Sequence, residues 1–184
     1  RLGRALCAGL PIELRLQDYR DLDERFDRIV TVGMFEHVGH KNHRGFMEVV
    51  HRCLVDDGLY LLHTIGRHKT TARGNNLWIS KYIFPNTTVP SVAHLGQAID
   101  GRFHLEDWES FGRYYDQTLM AWHDNFQRGQ AALGGAYDER FRRMWSFYLM
   151  TSAGAFRARA LDLWQVVLSR QGTASGYRRP ARHS

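Results

Sequence analysis

The segment that most constrains the fold is Gly58-Leu59-Tyr60-Leu61-Leu62-His63-Thr64, a nearly continuous apolar run. A strand wet on one face alternates apolar with polar residues. A run apolar on both sides of the pleat needs cover on both faces, as in the middle of a layered α/β sheet. Asp56-Asp57-Gly58 ahead of it predicts a turn. Before that, residues 43–54 place Phe46, Met47, Val50 and Leu54 at helical spacing. Ile12-Glu13-Leu14-Arg15-Leu16 alternates and predicts a strand near 12–18, with Gly9 and Pro11 ending an incoming helix. Phe26-Asp27-Arg28-Ile29-Val30-Thr31-Val32-Gly33 is rich in β-branched residues and predicts another near 27–32. Strands near 12–18, 27–32 and 58–64, separated by helices and loops, predict an α/β fold with a largely parallel sheet.

The rest of the chain is read more coarsely. Residues 69–107 look irregular, hold Pro85 and Pro90, and suggest an inserted lid or substrate segment. Residues 108–126 read as an aromatic-rich helix, and 138–159 as a second long helix broken near Gly154. Leu161 to Ser169 closes the domain as a strand, expected antiparallel at the sheet edge. Residues 1–170 are thus expected to form one domain, and 171–184 a basic tail without regular structure. The opening Arg1-Leu2-Gly3-Arg4-Ala5-Leu6-Cys7 lacks an initiator Met and reads as the inside of a helix, so the chain is expected to be a fragment.

Composition narrows the function classes. The 184 residues are 43% hydrophobic and 12% aromatic, enough for one folded core. No apolar run is long enough for a transmembrane helix. Cys7 and Cys53 have no pairing or metal-ligand spacing, so neither a disulfide framework nor a zinc site is expected, and a reducing cytoplasm fits best. The net charge is +6, carried mostly by arginine, with lysine only at Lys41, Lys69 and Lys81. An anionic membrane surface is the favoured partner for that charge, and nucleic acid is not expected.

Ligands of open α/β sheets sit outside the carboxyl ends of the strands. That rule selects Gln17-Asp18-Tyr19-Arg20, Gly33-Met34-Phe35-Glu36-His37 and His63-Thr64-Ile65-Gly66. Each cluster has a bland reading: Asp18 as a helix cap, Glu36 as a solvated first-turn acid, His63 as a satisfied core histidine. Together, at three strand ends, they point to a site. His37, His40, His43, His68, His94, His104, His123 and His183 show no ligand spacing.

At these strand ends the chain resembles the cyclopropane fatty acid synthase family. The resemblance rests on Leu16-Gln17-Asp18-Tyr19-Arg20-Asp21, on Gly33-Met34-Phe35-Glu36-His37-Val38-Gly39 and on Leu61-Leu62-His63-Thr64-Ile65-Gly66. It continues through Trp78-Ile79-Ser80-Lys81-Tyr82-Ile83-Phe84-Pro85-Asn86, Tyr115-Asp116-Gln117-Thr118-Leu119-Met120-Ala121-Trp122 and Ala153-Gly154-Ala155-Phe156-Arg157-Ala158-Arg159. It implies a Rossmann-like class I S-adenosylmethionine (SAM)-dependent methyltransferase fold, truncated at its amino end, with the first strands and the Gly-rich cofactor loop absent. It also implies a reaction: methylene transfer from SAM to the cis double bond of phospholipid acyl chains, with bicarbonate as base. A peripheral position at the inner face of the membrane follows, and a homodimer is left open.

By motif, the resemblance puts bicarbonate on Glu36, His63, the backbone at Ile65 and Tyr148, with Glu36, His63 and Tyr148 as the catalytic set. Gln17, Asp18 and Tyr19 would hold the adenine end of the cofactor. Phe35, Tyr82 and Phe84 are lipid-tunnel residues by the same comparison, with core packing as the competing role for Phe35. The family's cysteine would lie upstream, so neither Cys7 nor Cys53 matches it. Two alternatives stay open: methylation of an unsaturated lipid or small molecule without ring closure, and a non-catalytic membrane-binding remnant. The chain alone is expected to be inactive.

Overall fold

The computed structural model describes residues 2–71, 76–174 and 176–181. Part of the expected lid (72–75) and part of the basic tail (175 and 182–184) lie outside the described residues. Four strands form one sheet: β1 (Phe26–Val32), β2 (Leu54–Gly66), β3 (His104–Ser110) and β4 (Asp162–Ser169), in the order β1-β2-β4-β3. β1 and β2 are parallel, whereas β4 runs antiparallel to both β2 and β3. The helices are α1 (Leu2–Leu6), α2 (Phe35–Val38), α3 (His43–Cys53), α4 (Leu77–Tyr82), α5 (Val92–Ile99), α6 (Gly112–Gly129) and α7 (Glu139–Arg157).

The apolar run at 58–64 does form the central strand. Tyr60, Leu62 and Thr64 are fully buried on one face, against α3 and α5. Phe35, Phe46, Met47, Leu54, Leu95 and Trp164 fill that core. The other face carries Leu59, Leu61, His63 and Ile65, and α6 and α7 cover its Ile65 end in a second core around Leu119, Leu149, Phe156 and Leu163. Toward β1 that face is open: Val30 and Val32 are exposed.

Several expectations are corrected. Residues 12–18 are extended but unpaired and exposed, because alternation makes a strand only where another strand lies alongside. Asp56-Asp57-Gly58 is no turn. β2 runs through it with a bulge, the register stepping from Phe26↔Leu54 to Arg28↔Leu59. β4 is antiparallel but sits inside the sheet, and β3 takes the edge where a loop and helix were expected. One of the three pairings is parallel, so the described sheet is mixed. The 69–107 segment is not irregular throughout: α5, capped by Ser91 in a capping box with His94, contributes Leu95, Ala98 and Ile99 to the first core. α7 passes through Gly154 unbroken to Arg157. Residues 176–181 have no helix or strand, and Arg179 pairs with Asp107 on β3.

Candidate active site

The carboxyl ends of β1 and β2 lie side by side. Val32 pairs with His63, and the Gly33 amide donates to the His63 carbonyl at 3.0 Å. Gly33 has φ +62, in the left-handed region that glycine alone adopts without strain. That turn lifts the chain off the sheet and starts α2 directly above the strand ends. The Thr88 amide donates to the Glu36 carbonyl at 2.9 Å and ties the 87–91 segment across the short helix.

Glu36 is only 5% exposed. Its Oε1 accepts the Ile65 amide at 2.7 Å, while its Oε2 is buried without a hydrogen-bond partner. A buried carboxylate oxygen left unpaired costs free energy, and such sites call for a donor. Ile65, whose backbone the resemblance puts on bicarbonate, gives its amide to Glu36 and so fixes the direction of the carboxylate.

His63 is half-buried on the same face as Ile65. The Gln165 side-chain amide donates to its Nδ1 at 3.2 Å, which leaves the proton of the neutral ring on Nε2. Burial lowers the His63 pKa from its usual value and the Glu36 charge partly opposes this. The neutral ring with one N–H donor therefore prevails near pH 7.

Two tyrosines complete the cluster. Tyr148 on α7 and Tyr115 on α6 both pack into the core that holds Ile65. Burial raises the pKa of each. Tyr115 is pushed further by the charge of Glu36, and Tyr148 by Tyr115. Both remain O–H donors. Sequence reasoning singled out Tyr148 and passed over Tyr115, although the electrostatic link to Glu36 runs through Tyr115. Its signal was available: Tyr115 and Leu119 stand four apart on the inward stripe of α6.

Phe84 touches Tyr148 edge-on at 6.0 Å and His37 at 5.8 Å. Tyr82 stands on α4 beside Trp78, at 5.5 Å. Both are partly exposed at the rim. Phe35 lies elsewhere: fully buried, stacked on His43 at 3.9 Å and packed against Phe46, it belongs to the core beneath α2.

The Gln17-Asp18-Tyr19 cluster sits further along. Asp18 caps a short 3-10 turn, accepting the Arg20 amide, and its carboxyl is held down to about 2 by the Arg20 guanidinium. Gln17 donates to the Asp21 carbonyl at 3.1 Å. Tyr19 packs edge-on against Phe46 at 5.2 Å, and through Phe46 and Phe35 the turn shares a core with the Glu36 helix. Among the described residues, no group of three or more His, Cys, Asp and Glu is placed to hold a metal ion. No described helix is long and apolar enough to cross a membrane.

Residues 9–166 match the family described as Mycolic acid cyclopropane synthetase. The chain belongs to that family. It is 50% identical over 178 residues to the Cyclopropane-fatty-acyl-phospholipid synthase of Escherichia coli (strain K12), a match covering 97% of this chain and 46% of that protein. It is 34% identical over 186 residues to the Tuberculostearic acid methyltransferase UfaA1 of Mycobacterium tuberculosis (strain ATCC 25618 / H37Rv), covering 94% of this chain and 43% of that one. The mycolic acid cyclopropane synthase CmaA1, solved in complex with SAH and CTAB, superposes with a TM-score of 0.75 at 28% identity, covering 85% of this chain and 59% of that one. The fold is therefore the Rossmann-like α/β fold of the SAM-dependent methyltransferases. The chain spans about half the length of the curated relatives it matches.

Proposed function

We propose that this chain carries the base-holding part of an enzyme that builds cyclopropane rings on the unsaturated acyl chains of phospholipids. SAM would supply the electrophilic methyl group and bicarbonate a small base for the proton lost on ring closure. The observation that carries this reading is the Glu36 carboxylate, with Oε1 fixed by Ile65 and Oε2 buried and unpaired. A carboxylate tolerates an anion beside it only if a proton lies between them. Bicarbonate brings that proton on its own hydroxyl, so Glu36 Oε2 accepts it and sets the orientation of the anion. His63 Nε2–H and the hydroxyls of Tyr115 and Tyr148 are neutral donors suited to the remaining oxygens. Asp18 and Tyr19 fit the adenine end of the cofactor, the carboxylate as acceptor and the ring as a packing surface. Tyr82 and Phe84 are the acyl-chain contacts in this reading, and Phe35 serves packing.

The test is Glu36→Gln in a chimera that joins this chain to the amino-terminal portion of the Escherichia coli relative. The amide oxygen can still accept from Ile65, but the amide nitrogen then presents a donor where an acceptor is needed. Cyclopropane formation, followed by mass spectrometry of the fatty acids after reductive ring opening, should fall by roughly 10²- to 10⁴-fold, with SAM affinity retained. Tyr115→Phe and His63→Ala should lower turnover through the same anion, so their effects combine with Glu36→Gln less than multiplicatively. Unaltered turnover and bicarbonate dependence in Glu36→Gln would sink the assignment. The identity to a methyltransferase favours one second reading, methylation without ring closure. The same assay separates it, since a methyl-branched product survives where a ring would open.

A further inference from the structure

A groove lies between α4 and the start of α7, on the side of Tyr148's neighbour Phe147. Its cavity is about 1150 Å³ and is lined by Trp78, Tyr82, Phe147, Arg140, Arg142 and Arg143. We propose that this groove binds the phosphodiester group of an anionic phospholipid, a reading that rests on the proposed function and names its substrate anchor.

The charges are the first reason. Arg15, Arg20, Arg102, Arg157, Arg170 and Arg179 are each spent on a carboxylate. Arg140, Arg142 and Arg143 have no carboxylate within ion-pair distance among the described residues, although Glu139 also lines the groove. They also crowd the first turns of α7, where the helix dipole disfavours cations. Arg142 donates through Nη2 to the Gly134 carbonyl at 2.8 Å, and its Nε is buried without a partner. A guanidinium so placed gains from an anionic oxygen, and the planar fork suits a phosphate.

The aromatic floor is the second reason. Trp78 packs edge-on against Phe147 at 4.7 Å and at a tilt against Tyr82 at 5.5 Å, while Phe147 remains half exposed. Such rings accept a glycerol backbone and the first methylenes of an acyl chain. Two residues past Tyr82, Phe84 packs against Tyr148, which shares a core with Ile65, the residue whose amide holds Glu36. A phosphate held by the arginines would start its acyl chain toward the site, which a free phosphate would have no reason to use.

The test is calorimetric titration of the full chain with soluble dihexanoyl-phosphatidylglycerol, dihexanoylglycerol and inorganic phosphate. The phospholipid should bind at least about tenfold more tightly than either part alone. Arg143→Gln removes an exposed charge, and Arg142→Lys keeps the charge but loses the fork. Each should weaken phospholipid binding about fivefold or more, with unchanged circular dichroism and no effect on dihexanoylglycerol. Arg44→Gln on α3 should change nothing. Equal affinity for inorganic phosphate, an equal loss in Arg44→Gln, or full affinity in both groove variants would each overturn the proposal. The readout needs no turnover. No phospholipid binding by the parent chain, with ring formation intact in the parent chimera, sinks the groove alone, and binding without ring formation leaves it standing.

Discussion

His43 allows a sharp test of how the core beneath the site is built. Its side chain is 2% exposed, stacked on Phe35 at 3.9 Å, and neither ring nitrogen has a hydrogen-bond partner. Burial pushes its pKa down to about 4, helped by the neighbouring His94 and His40. The Phe35 backbone pulls the other way but does not outweigh burial. The folded state thus holds the ring neutral, whereas the unfolded chain binds a proton near pH 6.5. Between those values the unfolded state carries the extra proton, so stability rises with pH across the window and is lost as pH falls through it. A shift from 6.5 to about 4 corresponds to roughly 3.4 kcal/mol at full protonation of the unfolded ring. The expected loss is about 1.4 kcal/mol at pH 5.5, about 2.5 at pH 4.5 and near zero at pH 7.5. His43→Phe keeps the stacking and removes the titration, and replacing an unpaired buried polar ring with an apolar one is close to neutral at high pH. Urea unfolding of both proteins from pH 4.5 to 7.5 should show the variant gaining on the parent by these amounts as the pH drops. Other depressed histidines, His51, His63 and His94, remain in both proteins and cancel in the difference. A difference independent of pH would refute the reasoning.

Other expectations follow from single contacts. A Cβ on Gly66 would lie 2.1–2.4 Å from the Trp164 ring, which is buried between β3 and the core, so Gly66→Ala should cost about 1–3 kcal/mol in urea unfolding and alter the near-ultraviolet tryptophan signal. Asp162 is buried and accepts from Ser110, Gly112 and Leu163. Burial pushes its carboxyl up, but those donors outweigh it and hold it below the usual range. Asp162→Asn should therefore destabilise by about 1.5–3 kcal/mol above pH 5, the gap narrowing as acid protonates the parent. Gly33→Ala forces a left-handed turn on a residue with a Cβ, and should cost about 1 kcal/mol while loosening the Glu36 helix, read as faster amide exchange at Gly33 and His37.

What the sequence disclosed depended on whether the relevant physics was local. The run at 58–64 puts apolar residues on both faces of the pleat, so a doubly covered strand was its one economical outcome, and β2 is that strand. The alternation at 12–18 carries the same kind of signal, yet a strand is a relation between two segments and no residue in 12–18 names its partner. β3 escaped notice for the opposite reason. His104-Leu105-Glu106-Asp107-Trp108-Glu109-Ser110 looks too charged for a strand, but each acid has a remote satisfier: Arg179 meets Asp107 and Glu109, and Ser169 meets Glu106. An edge strand can carry charge on its open side while Trp108 turns inward to Trp164 at 4.9 Å.

The site shows the same division at finer grain. Glu36, His63 and Ile65 were legible because strand ends in an open α/β sheet are where such residues converge. Their relation was not. Nothing in Glu36's neighbours along the chain tells that one carboxylate oxygen is taken by an amide 29 residues away while the other is sealed from water without a partner. That asymmetry comes from three long-range facts: the β1–β2 register, the bond from the Gly33 amide to the His63 carbonyl and the clamp from Thr88. It also carries the proposed chemistry. Had both oxygens been paired, Glu36 would be a structural acid tying α2 to the sheet. With one fixed and one open, the carboxylate suits the proposed role of an aimed acceptor, in which His63, Tyr115 and Tyr148 would donate to an anion that carries its own proton.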